Sequence, residues 1–346
     1  MTGQSLSPPA LTHSTPGQAA ERCVHQIAPA DRIASIMDVT NANTEPFFLF
    51  HRFSEEFNRN MRIAVGALGV ITQMRSTVAP EMVLKLPTLG EPWGGHTLWK
   101  DVAKEIPGTK RFLSQIGIVR VLSAFEYLLI GTKAEFDRYA SFRGLEGSQN
   151  ASQDLSVFYS ELKWDDKALA GLTPVFDYFA VIRNCIAHQS GRANETLVKL
   201  DASKELRKCL KAWCPRRDIK LPELPILTIG KEIPLLPRHA IFACEVCYRI
   251  ALDINEKLRR SLGTEGLVYM AAYHSLLSDN RIETNASKFP ESPINLALTG
   301  RYRVAVETKS EVITVLRSIG KWDDYRKTFE RLFPKQNHAK RPRKRA

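Results

Sequence analysis

The sequence predicts an all-α fold, a helical bundle carrying one short β-hairpin insertion and extra helices at both ends. Three observations predict it. Apolar residues recur at three- and four-residue spacing through most of the chain. Only one stretch, 219–237, reads as strand. No glycine-rich loop stands between a strand and a helix, which removes the dinucleotide-binding and P-loop architectures.

The first element follows from Phe50, Phe53, Phe57, Met61, Ala64, Leu68 and Ile71, which lie along one side of a helix over about 44–76. Thr44 and Pro46 suit its start. The segment 77–108 is expected to be loop, with Pro80, Pro87, Pro92 and the turn WGGHT. A second helix is predicted over 109–132. It is apolar nearly all round and so is expected to be buried. Ser123 and Glu126 interrupt it, and a charge there needs a partner or a neighbouring cavity. A polar helix end and a loop fill 131–153, and a helix is expected near 154–170.

Thr173 as N-cap and Pro174 as first helical residue start the helix TPVFDYFAVIRNCIAH, and Gly191 ends it. A helix over 201–214 stops before Pro215. The stretch IKLPELPILTIGKEIPLLP reads as a small edge hairpin with Gly230 at the first central turn position. Helices follow at 238–262, 264–278, 308–319 and 322–333, with loop through 279–297.

Charge and cysteines bound the function. The net charge is +12, and six of the contributing Lys and Arg lie in the acid-free tail KQNHAKRPRKRA, residues 335–346. A disordered polybasic arm that binds phosphates, or a merely solubilising end, both fit the tail. Residues 1–40, rich in Pro, Ser, Thr and Gly, read as disordered and lack the apolar core of a signal peptide. No unbroken apolar run approaches the roughly 20 residues of a membrane span. A cytoplasmic chain with reduced thiols is therefore expected. Cys209, Cys214, Cys244 and Cys247 loosely echo zinc-ligand spacing. Cys244 and Cys247 occupy apolar helical positions, however, and buried thiols are the expectation there.

The stretch VIRNCIAHQSGR, 181–192, carries the candidate chemistry. An Arg-x4-His pair alone is no rarer than chance, so its setting decides. It lies at the C-terminal end of a capped apolar helix, with Asn184 directly after Arg183 and a glycine exit after His188. At about 100° per residue Asn184 and His188 share a face, whereas Arg183 and His188 stand about 140° apart. That geometry suits a phosphate approached from the helix end. Arg supplies a forked permanent charge, and His exchanges protons near neutrality. These parts suffice to cleave RNA at its 2′-OH without a metal. The plain alternative is a polar helix end in which Arg183 pairs with an acid such as Glu126.

The motif AVIRNCIAHQSG, with the apolar helix GIVRVLSAFEYLLIG some fifty residues upstream, resembles the Arg-Asn-x3-His signature of HEPN domains. The resemblance covers about residues 109–262. It implies a HEPN-like helical domain, expected over 109–278; the helix and loop at 41–108, expected to pack on it, and the helical region at 279–334 lie outside the resemblance and take no role from it. It further implies a metal-independent endoribonuclease with Arg183, Asn184 and His188 catalytic and Glu126 and Ser123 supporting. No cofactor is implied. RNA would be the partner; apart from the resemblance, Arg192, Arg216 and Arg217, and Lys340, Arg341 and Arg343 of the tail, are candidates for phosphate contacts, with plain surface solvation the alternative. A homodimer is implied, along with a toxin or antiphage role and an antitoxin or sensor protein. Two readings stand beside it: a non-catalytic RNA- or nucleotide-binding module, and a DNA-binding regulator built on 308–333.

Overall fold

The computed structural model describes residues 37–74, 102–144, 154–214, 221–278, 289–306 and 308–334. Among these residues the chain forms ten α-helices and no strand. They are α1 (Glu45–Met74), α2 (Val102–Phe142), α3 (Leu155–Glu161), α4 (Thr173–His188), α5 (Glu195–Asp201), α6 (Lys204–Ala212), α7 (Pro237–Ala272), α8 (Glu291–Ala297), α9 (Lys309–Ser318) and α10 (Trp322–Leu332).

Three long helices, α1, α2 and α7, make the centre. A Cβ on Gly117 of α2 would lie 2.8 Å from Met61 Cε on α1 and 2.9 Å from Ala240 Cβ on α7. Only a residue without a side chain lets the three backbones approach so closely. A Cβ on Gly131 would meet Pro46 at 3.3 Å, so α2 descends as α1 rises and the two are antiparallel. Around this centre α4 buries Val175, Phe176, Tyr178, Phe179, Ile182 and Cys185. Phe125 of α2 meets Phe176, and Phe179 meets Phe242 of α7, with ring centroids 5.2 and 5.5 Å apart.

A second core joins the C-terminal half of α7 (Leu258, Leu262, Leu267, Met270) to α8, α9 and α10, through residues such as Ile294, Leu316 and Tyr325. Gly263, at φ 59° and ψ −169°, kinks α7 just past Leu262, within the part that serves the second core. The kink matches the expected break between 238–262 and 264–278. Thr308 and Glu311 close a reciprocal cap on α9.

Several expectations change. The second helix is longer at both ends than 109–132, running from Val102 to Phe142 with Pro107 inside it. It is not dry all round either. Phe112, Ile116, Tyr127 and Ile130 are 59%, 47%, 61% and 56% exposed along one side. Apolar composition marked the whole circumference as core, but only two neighbouring long helices are there to cover it. Over Glu105–Phe142 this helix is long and apolar enough to cross a membrane by length and composition, although it lies at the centre of the bundle. Counting only unbroken apolar runs concealed this, because isolated charges punctuate the helix.

The helix expected at 154–170 is only α3, capped by the Asp154 carboxylate; it ends before Lys163 at φ 55° and gives way to a 3₁₀ turn at Lys167–Leu169. The helix expected over 201–214 is α6, started by the Ser203 side-chain cap, and a further short helix not expected from the sequence, α5, precedes it with Asn194 as its cap. The loop expected through 279–297 contains α8.

The hairpin does not form. Gly230 sits at the second central position of the Thr228–Lys231 turn with φ 73°, the position at which a type II turn wants glycine. Pro222, Pro225, Pro234 and Pro237 deprive both arms of donors. The segment pairs instead with the exit of α4: Ala193 N donates to Lys231 O, Gly230 N to Ala193 O and Ile233 N to Gly191 O, at 2.8–2.9 Å. A single antiparallel bridge, Arg192 with Glu232, is the only β-pairing among the described residues.

Candidate active site

The site lies where the last turns of α4 meet α2. Helix α4 stays regular through His188 and then stops. Gln189 N and Gly191 N both donate to Cys185 O, at 2.9 and 3.0 Å, while Ser190 and Gly191 take φ of 51° and 75°. Gly191 is needed twice over. Its φ is left-handed, and a Cβ there would lie 2.5 Å from Gln115 Nε2 of α2. The exit loop is thus pressed onto α2 on one side and bridged to the 228–233 segment on the other.

Arg183 and Glu126 come together. Arg183 Nη2 donates to Glu126 Oε1 in an ion pair whose side chains are 24% and 25% exposed. Arg183 Nε is buried and has no hydrogen-bond partner among the described residues. The charge that interrupts the apolar face of α2 therefore has its counter-charge on α4. Asn184 and His188 are exposed, one turn apart on the open side of α4, and Ser123 is exposed on α2 one turn before Glu126. No hydrogen bond joins Arg183 to His188. A regular helix keeps them on different faces, and Arg183 leans toward α2. Beneath them Cys185 is fully buried and its thiol is pushed up by that burial.

Arg192 is exposed, and its Nη1 donates to Gly230 O at 3.1 Å. Its bridge partner Glu232 pairs with Arg111 of α2 at 2.7 Å. Arg111, Gln115 and Lys231 were not legible as site residues. They reach this corner only because the 228–233 segment pairs with the exit of α4. Arg192 and the paired Arg111 and Arg183 thus gather three guanidinium groups around the end of α4. Arg216, Arg217, Lys340, Arg341 and Arg343 lie outside the described residues.

Among the described residues no group of three or more His, Cys, Asp or Glu is placed to hold a metal ion. Cys244 and Cys247 are buried within α7, Cys209 is half-buried and Cys214 exposed. Burial pushes the Cys244 thiol up to about 12 and raises the Cys247 thiol well above its ordinary value. Both belong to the hydrophobic core.

Comparison with protein-family models, with curated proteins and with solved structures finds no match to this chain.

Proposed function

We propose that the chain is a metal-independent endoribonuclease of the HEPN type, acting in the cytoplasm as a toxin or antiphage effector held in check or triggered by an antitoxin or sensor protein. The observation that carries the reading is the end of α4. It presents an exposed His188, with no partner among the described residues, beside Asn184, with Arg183 around the corner held by Glu126. His188 takes the proton from a ribose 2′-OH. The 2′ oxygen attacks the adjacent phosphorus, the bond to the 5′ oxygen breaks, and that oxygen takes a proton from water as it leaves, while His188 returns its own proton to solvent. The products are a 2′,3′-cyclic phosphate and a 5′-OH. Arg183 stabilises charge on the phosphoryl oxygens, and Asn184 orients His188 or binds a phosphate oxygen. DNA lacks the attacking hydroxyl, so the reaction selects RNA. The chemistry asks for neither metal nor cofactor.

One chain holds Arg183 and His188 on different faces, so a homodimer that sets two α4 ends across one cleft is part of the proposal. The exposed apolar side of α2, beside the site, gives a second copy a surface to cover. Purified protein incubated with RNA in EDTA should yield cyclic-phosphate ends, and Arg183→Ala and His188→Ala should each abolish them. No cleavage, or cleavage unchanged in both variants, refutes the reading.

The Arg183–Glu126 pair also favours a second reading, a non-catalytic RNA- or nucleotide-binding module in which Arg183 is structural. That reading predicts salt-sensitive RNA binding that survives His188→Ala, without cyclic-phosphate products.

A further inference from the structure

A cavity of about 550 Å³ opens beside the last turns of α2. Its walls are Asp137, Arg138, Ser141 and Phe142 of α2, Tyr269 of α7 and Lys321 at the start of α10. Arg138 stands more than three turns beyond Glu126, about 18 Å along the axis of the same helix, so this is not the candidate site at the end of α4. The size suits a small molecule. One part of the lining is aromatic. The Phe142 and Tyr269 rings stack with centroids 4.9 Å apart and planes 23° from parallel. Both residues are only half-buried, which leaves ring surface to the cavity.

The other part is cationic. Arg138 is exposed, and its guanidinium carbon lies 3.7 Å from the centroid of the Tyr273 ring. At that distance the ring covers one face of the guanidinium and restrains it, while the in-plane N–H groups stay available to a ligand. Lys321 Nζ lies 5.5 Å over the Phe142 ring from the opposite element. The carboxylates nearby already have partners. Asp137 pairs with Lys133, Glu265 with Arg143 at 3.4 Å, and Glu135 bonds to His274 at 2.8 Å. Asp324, 66% exposed, reaches Lys321 only at 3.9 Å. Arg138 forms no ion pair among the described residues, so it is the cation left to meet an anion from outside.

We propose that this cavity binds a nucleoside monophosphate, with the base against Phe142 and Tyr269 and the phosphate on Arg138 and Lys321. Phosphate alone would use the cations and leave the rings idle. A neutral aromatic would use the rings and leave Arg138 idle. A flat ring carrying an anion uses both. Stacking on aromatic side chains favours any base, and the forked guanidinium matches phosphate oxygens. The Ser141 hydroxyl donates to the phosphate, and Asp137 accepts from the ribose hydroxyls. The same chemistry fits a free nucleotide or the 5′-terminal nucleotide of a strand. The inference is independent of the ribonuclease reading, whose residues stand at the end of α4.

Calorimetric titration of the full chain with AMP, GMP, CMP and UMP tests it. At least one nucleotide should bind about tenfold or more tightly than its nucleoside and than inorganic phosphate, since each lacks one half of the recognition. Arg138→Ala should weaken that binding by about tenfold or more. Ala134 is an exposed residue of α2 on the cavity wall. Ala134→Trp fills the space without removing a packed side chain, and should abolish binding while the thermal melt stays that of the parent. His188→Ala should bind like the parent. If Arg138→Ala fails to fold, Ala134→Trp and Lys321→Gln decide. Absence of binding by all four nucleotides at millimolar concentration overturns the proposal. So does inorganic phosphate binding as tightly as the nucleotide, or binding unchanged in Ala134→Trp. Loss in His188→Ala with retention in Ala134→Trp would put the nucleotide at the end of α4 and overturn it equally. A 5′-phosphorylated trinucleotide identifies the source, and either result upholds the site: binding like the mononucleotide assigns it to strand ends, and weaker binding assigns it to free nucleotide.

Discussion

Replacing Glu126 and Arg183 with alanine, singly and together, separates a structural pair from a catalytic arginine. The two side chains are about three-quarters buried, at 24% and 25% exposure. Exposed ion pairs contribute about 0.2–1 kcal/mol, and removing one partner of a fully buried pair costs about 3–5 kcal/mol. A pair at this depth falls between, and each single substitution should cost about 2 kcal/mol, roughly a 30-fold fall in the folded-to-unfolded ratio. Glu126→Ala should be the costlier one, because it strands a guanidinium whose Nε already lacks a hydrogen-bond partner among the described residues. The double variant should cost less than the sum of the singles, by about 1–2 kcal/mol. Chemical denaturation of the four proteins gives the coupling directly. A coupling within about 0.3 kcal/mol of zero would show that the pair does not exist in solution. RNA cleavage by the same four proteins in EDTA then addresses function. The catalytic reading requires Arg183→Ala to lose at least about 10²-fold in rate while Glu126→Ala, no more stable, retains more activity. Equal losses would mean that Arg183 acts through the fold alone.

Gly191→Ala should destabilise by about 1–3 kcal/mol, since it forces a left-handed residue to carry a Cβ against Gln115; a thermal melt unchanged from the parent would show that the exit loop does not press on α2. In the native protein Cys214 should react with a thiol reagent while Cys185, Cys244 and Cys247 stay silent until denaturation, because they are buried and burial raises their thiols. Rapid modification of Cys244 would contradict the packing of α1 on α7.

Helix positions were legible wherever apolar periodicity and local stop signals agreed. The end of α4 before Gly191 and the break of α7 at Gly263 lie in short-range chemistry that a few neighbouring residues settle, whereas the N-cap of α4 is Leu172 rather than Thr173, whose hydroxyl bonds back to Leu169 O instead. Failures came where composition left partners open. Apolar residues all round α2 say that burial is favourable, not how many neighbours are present to provide it. Alternation around Gly230 says that a segment is extended, not with what it pairs.

The candidate site divides the same way. The sequence by itself determined which side chains stand at the end of α4, and the 3.6-residue turn determined that Asn184 and His188 share a face while Arg183 does not. Only the tertiary structure decided that Arg183 meets Glu126, that Arg111 and Glu232 join the same corner, and that Arg138, Tyr269 and Lys321 line one cavity. The physical reason is range. Helical periodicity and capping act over three or four residues. Charge pairing between α1, α2, α4 and the C-terminal region depends on how whole helices cross, and that is set by the summed packing of both cores.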